Sequence, residues 1–203
     1  MKKILNSTFL ISGLLLNLAL SGCNLPPKNA NPAKPVSESS GNSDNESLYQ
    51  TNGKWDNQYG DTLTLSKLSG KIPVLAMVFT RCSYACPRIV ADIQAIEKKI
   101  PVDKKDKVVF VLVSFDSERD HTKELRSFIT QMKLNDKWLV LHGNSDDVRE
   151  LSMLLNVKYK KQPDGDYTHS SGITLLDTKG GIVTQTEGIG KDPQDFISKI
   201  KLL

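Results

Sequence analysis

The stretch VLAMVFTRCSYACPRIV, Val74 to Val90, decides the fold. Its first part, Val74 to Phe79, is an unbroken apolar run rich in β-branched and large side chains, which predicts a strand buried on both faces. From Pro87 onward Ile89, Val90, Ile93, Ile96 and Ile100 recur at helical spacing, and Pro87 suits a first turn, where its missing N–H costs little. Cys82 and Cys86 therefore stand where a central strand gives way to a helix. Open α/β sheets place their sites at the carboxyl ends of strands, and the positive end of a helix dipole lowers a thiol pKa. In near-helical geometry the i, i+4 spacing brings both sulfurs to one face. Two thiols meeting there can close a disulfide or hold one metal ion.

Working outward, Thr62 to Leu65 alternates as an edge strand, and a Ser69-Gly70 turn leads into the central one. Lys107 to Phe115 is a second buried strand and Trp138 to Leu141 a third. Asp120 to Met132 is helical, with Leu125, Phe128, Ile129 and Met132 on one face. Ser145 to Leu155 is another helix, with Val148, Leu151, Leu154 and Leu155 inside. Ile173 to Leu176 and Ile182 to Thr186 form a hairpin, and a last helix starting at Asp192-Pro193 buries Phe196, Ile197 and Ile200. The expected fold is α/β: a mixed, largely parallel sheet flanked by helices, in a thioredoxin-like order with an inserted strand–helix unit.

The amino terminus is an address. Lys2 and Lys3 precede an apolar segment from Phe9 to Leu20, shorter than the roughly 20 residues of a spanning helix, and Leu20-Ser21-Gly22-Cys23 follows it. This is similar to a bacterial lipoprotein signal, residues 1–22, with Cys23 as the lipid-bearing first residue of the mature chain. Residues 23–47, rich in Asn, Pro, Ser and Lys, read as a tether reaching about 25–30 Å. Residues 48–203 are long enough for one domain with its own core. Once Cys23 carries lipid, Cys82 and Cys86 have only each other as thiol partners. The expected location is the extracytoplasmic face of a bacterial membrane, periplasmic in a Gram-negative cell.

Charge excludes some functions. The net charge is +4 for the whole chain and +3 without the signal and tether, too mild to point to nucleic acid. No glycine-rich phosphate loop follows a strand, so a nucleotide cofactor is unsupported.

Three separated motifs carry a resemblance. Phe79 through Pro87 matches a strand running into Cys-x-x-x-Cys-Pro. Asp116, Glu118, Arg119 and Asp120 match an acidic segment after the next strand, and Asp166, Tyr167 and His169 match a histidine after Asp-Tyr. In this order the chain resembles the SCO/SenC family of thioredoxin-like copper proteins over most of Trp55 to Leu203. The resemblance implies one copper, Cu(I) or Cu(II), bound by Cys82, Cys86 and His169. It also implies a chaperone role in assembling a respiratory copper centre, most often the dinuclear site of cytochrome c oxidase subunit II. Two thiolates and an imidazole suit Cu(I) and can hold Cu(II) with further donors, while zinc would take the same set plus water. His169 lies in a turn-rich approach, Pro163 to Ser170, read as a loop able to carry it over the cysteines.

Other readings stand beside this one. Cys82 and Cys86 can be a structural disulfide, though so short a loop gains little chain entropy. The protein can be a membrane-anchored thiol-disulfide oxidoreductase without stored metal, with Cys82 attacking and Cys86 resolving. A peroxidase would want its threonine three residues before Cys82, whereas Thr80 is two before it. Asp116 and Asp120 are turn and N-cap candidates, or groups standing behind the metal ligands. His121 and His142 read as structural. Ser117 replaces the family's usual proline, and Ser83, Tyr84 and Ala85 replace a segment that often carries proline and an acid.

Overall fold

The computed structural model of the chain describes residues 47–203. The signal, nearly all of the tether and Cys23 lie outside the described residues. The strands are β1 (Trp55–Asn57), β2 (Thr62–Leu63), β3 (Ile72–Val78), β4 (Val108–Ser114), β5 (Trp138–Gly143), β6 (Tyr159–Lys161), β7 (Tyr167–His169), β8 (Gly172–Leu176) and β9 (Ile182–Glu187). The α-helices are α1 (Ala85–Lys99), α2 (Thr122–Met132), α3 (Ser145–Leu154) and α4 (Gln194–Leu202).

All seven residues of β3 are buried, because β3 lies inside a seven-stranded sheet ordered β2-β1-β5-β4-β3-β8-β9. It pairs in parallel with β4 from Ile72 opposite Val108 to Val78 opposite Ser114, and antiparallel with β8 through Val74 opposite Leu175. β4 continues in parallel to β5, while β1, β2, β8 and β9 close the two flanks antiparallel. Helices cover the sheet: α1 and α4 lie together near β3, β8 and β9, and α2 and α3 lie on β5. The apolar stripe of α1 is the expected one, with Ile89, Val90, Ile93 and Ile96 buried. The fold is α/β and thioredoxin-like, with a mixed central sheet.

Four details depart from expectation. Only Thr62 and Leu63 pair as an edge strand, since Leu65 turns inward within a 3-10 turn, Leu65–Leu68, and is buried. Three residues at Trp55–Asn57 form a strand too short to show a period. Leu154, expected inside, ends α3 with 46% of its surface exposed. Pro163 to Ser170 is not a free loop: β6 and β7 form a two-stranded ribbon in which Tyr159 faces His169.

The sheet has two distinct ends. β3, β4 and β5 start at one of them, and Ser47–Gln50 docks there, with the Leu48 amide donating to Gly180 O (3.0 Å) and the Tyr49 hydroxyl to Leu68 O (3.2 Å). The cysteines follow β3 at the opposite end.

Candidate metal centre

Phe79 closes the core at the end of β3, and the chain turns at once, with the Cys82 amide donating to Phe79 O (3.3 Å). Helix α1 begins at Ala85, so Cys86 is a first-turn residue, buried, while Cys82 just outside the helix is half-buried. The Cys86 amide, one of the N–H groups a helix start leaves unpaired, points at the Cys82 sulfur (3.2 Å). That is how the i, i+4 spacing brings the two sulfurs together.

His169 comes from the ribbon. Its ring lies edge-on to Phe79 (centroids 6.0 Å) and tilted against Phe115 (5.0 Å), and its Nδ1 sits 3.0 Å from Ser170 O. In the tautomer that donates from Nδ1 to this carbonyl, Nε2 keeps its lone pair and can serve as a ligand atom. Nε2 lies 3.9 Å from the Cys86 sulfur, and the donor atoms of Cys82, Cys86 and His169 all fall within 4.8 Å of one another. Three donors around one first-row ion, at bond lengths of about 2.0–2.3 Å, stand about 3.5–4 Å apart. At its widest the set is about 1 Å wider than a closed trigonal site, so a metal ion would draw the donors inward by about that much.

The thiols are unequal. Cys82 is pulled down to about 4, chiefly by the Cys86 thiol donating to it, against the opposing effect of burial, and further by the Cys86 and Tyr84 amides and by His169. Cys86 moves up, because it holds the proton it donates to Cys82 and because it is buried. One sulfur is a half-buried thiolate and the other a buried thiol. Beside them Tyr84 is 64% exposed, with the Arg88 guanidinium 4.4 Å over its ring.

Asp116 and Asp120 are not among the converging donors. Asp120 is not the N-cap of α2 either; that position is His121. It is fully buried, accepting from the Thr80 amide (2.8 Å), the Thr80 hydroxyl (2.5 Å) and the Ser114 hydroxyl (2.6 Å). Asp116 is buried too, as the turn residue expected of it: its carbonyl accepts from the Asp120 amide (3.1 Å). Its carboxylate takes Arg119 Nε at 2.5 Å and the Tyr167 hydroxyl at 3.3 Å. Burial and the neighbouring Asp116 carboxylate push the Tyr167 phenol up to about 12, so it stays a donor. Lys161 on the ribbon pairs with Glu118 (2.5 Å). One acidic turn thus holds both halves of the site, the cysteine turn through Thr80 and the histidine ribbon through Tyr167 and Lys161. Thr80 and Tyr167 lie inside the quoted motifs, but no signal in the sequence marked them for a part in holding the acidic turn, and Ser114 had no signal of its own. His121 and His142 meet edge-on at 5.5 Å, with His142 Nε2 3.6 Å from Asp56 Oδ2, apart from the converging donors.

The SCO1/SenC family model matches residues 43–203. Three solved structures are similar. A SCO1/SenC family lipoprotein of Bacillus anthracis is 27% identical, with TM-score 0.66, covering 74% of this chain and 91% of the other. Copper-bound ScoI of Bradyrhizobium japonicum is 25% identical, with TM-score 0.63, covering 74% and 96%. BsSco, described as having a disulfide switch and as a member of the Sco family of cytochrome c oxidase assembly proteins, is 26% identical, with TM-score 0.63, covering 73% and 88%.

Proposed function

Because this chain belongs to the SCO1/SenC family, we propose that it is an extracytoplasmic copper metallochaperone that carries one copper ion on Cys82, Cys86 and His169. The observation that carries this reading is the convergence of those three donor atoms within 4.8 Å at the end of a central strand. Soft thiolates with one imidazole suit Cu(I), and copper is what the Bradyrhizobium japonicum neighbour holds. Cys82 meets the ion already ionised, and Cys86 gives up its proton as the ion arrives. Release runs in the order of exposure: the half-buried Cys82 and His169 exchange first for acceptor thiolates, and the buried Cys86 lets go last. The acceptor is a respiratory copper centre, the dinuclear site of cytochrome c oxidase subunit II in particular, in keeping with the description of BsSco. Lipid on Cys23 holds the protein at the membrane, in keeping with the Bacillus anthracis neighbour being a lipoprotein.

The unequal thiols favour a second reading, a membrane-anchored thiol-disulfide oxidoreductase without stored metal. The Cys82 thiolate attacks an acceptor disulfide and expels one acceptor thiolate. The Cys86 thiol supplies a proton, and its sulfur then displaces the second acceptor thiolate, which takes a proton from water. The acceptor gains two electrons, and the resulting Cys82–Cys86 disulfide needs an extracytoplasmic dithiol donor to reset it.

Anaerobic Cu(I) titration of the reduced protein against a coloured chelator separates the two. One tightly held copper, weakened by Cys82→Ser, Cys86→Ser and His169→Ala alike, is the expected result. Weak binding indifferent to His169→Ala would leave thiol exchange as the function.

A further inference from the structure

The end of the domain away from the cysteines has an unusual surface. Four segments meet there: residues 65–71 before β3, 97–107 between α1 and β4, 133–137 before β5, and 199–203 at the end of α4. Together they hold eleven lysines and four carboxylates, whereas residues 47–203 as a whole carry only +3. The rest of the domain is therefore net negative, and the lysines are concentrated at one end. Val102 and Leu202, the two most exposed large apolar side chains of the described residues, are 82% and 87% exposed at this same end. Lysines in the last turns of α1 and α4 complement the helix dipoles. That role does not extend to Lys71, Lys104, Lys105 and Lys107, which lie outside the α-helices, nor to two bare apolar side chains among them.

We propose that this end is a seat for an anionic phospholipid bilayer, with the lysines on the headgroups and Val102 and Leu202 dipping between them. Lipid is the occupant favoured by two observations: the charge is complementary, and the chain preceding Ser47 joins the domain here. Ser47, Leu48 and Tyr49 are bound to the turn at Lys179 and Gly180 and to Leu68. No helix of the described residues is long and apolar enough to cross a membrane, so the contact is peripheral. Seated this way, β3 stands off the surface, and its seven residues lift the cysteine turn by about 20 Å. The donor triad then faces away from the lipid.

The mature chain from residue 24 on, which lacks both the apolar segment Phe9–Leu20 and the thiol of Cys23, is mixed with vesicles of phosphatidylglycerol and phosphatidylcholine in equal parts, and with pure phosphatidylcholine. Sedimentation should recover the protein with the anionic vesicles alone, and raising salt from about 0.1 M to about 1 M should release it. Replacing Lys98, Lys99, Lys104 and Lys105 by glutamine should weaken partition by about fivefold per lysine, on the order of a hundredfold or more together. Val102→Ser should weaken it by a smaller factor with charge intact. Lys123→Gln with Lys160→Gln, at the other end, should leave it unchanged. Equal recovery with both vesicle types, equal loss in the two lysine sets, or capture by an acidic polypeptide without vesicle binding would overturn the proposal. The readout needs no copper, so its failure is separate from failure of the metal site; thermal unfolding of each variant confirms that it folds.

Discussion

Asp120 holds Thr80 by two hydrogen bonds at once, from its amide and from its hydroxyl, and so fixes the turn two residues ahead of Cys82. A third bond from Ser114 ties the same carboxylate to the end of β4. The position of the half-buried sulfur is therefore set by a buried acid 38 residues further along the chain.

Asp120→Ala should leave the Thr80 amide and two hydroxyls without their partner in a buried place. At about 1–3 kcal/mol for each group left unsatisfied, a loss of about 3 kcal/mol or more is expected. Urea unfolding measures it, and an unchanged midpoint would show that the acid fixes nothing.

Arg119→Leu should be worse than its partly exposed side chain suggests. Asp116 is buried and Arg119 is its ion-pair partner, so the substitution strands a buried carboxylate, a loss of about 3–5 kcal/mol. Tyr167→Phe removes only one 3.3 Å hydrogen bond and should cost about 1 kcal/mol. Because Tyr167 ties down the ribbon, its loss should show first as faster proteolysis between β6 and β7.

Reduced protein should react with iodoacetamide at Cys82 at a nearly constant rate across neutral pH, because its pKa of about 4 leaves it ionised throughout. Cys86→Ala removes the largest cause of that shift, so the rate should then climb steeply with pH. A climbing rate in the parent protein would sink the assignment.

Stability should also track pH with a defined sign. The folded pKa of Cys82 lies below its ordinary value of 9.0, so its contribution is full above 9.0 and is lost as pH falls toward 4. Cys86 is shifted the other way, and its contribution turns against the fold above its ordinary value of 9.0. The urea midpoint of the reduced, metal-free protein should rise from about pH 5 to about pH 8, and Cys82→Ser should flatten that rise.

Cys23→Ser should abolish incorporation of labelled palmitate and move the protein out of the tightly held membrane fraction. Persistent labelling would place the lipid elsewhere.

Much of this was legible beforehand, for physical reasons. β3 and β4 announce themselves because strands buried on both faces are almost wholly apolar, and α1 does so because its isoleucines repeat at helical spacing. The paired cysteines are visible because a helix start after a central strand is a chemically distinct place. The ribbon was not visible: Tyr159–Lys161 and Tyr167–His169 are short, half exposed and polar, and they are held by cross-strand pairing and by Tyr167 reaching Asp116. Of the two readings open for Asp120, the cap does not hold, because sequence shows what precedes a helix and not what lies across the sheet. Leu154 fell outside because α3 ends there, and a periodic pattern does not reveal where its last turn loses cover.

The strand order also sets a schedule for biosynthesis. β3 lies between β4 and β8, and β8 follows His169 in the chain. Until the ribbon has been made, a growing chain displays two bare thiols with no imidazole to share an ion and no second neighbour to seat their strand. The cysteines thus wait for their imidazole, and their strand for its second neighbour, until roughly the last fifth of the chain has been made.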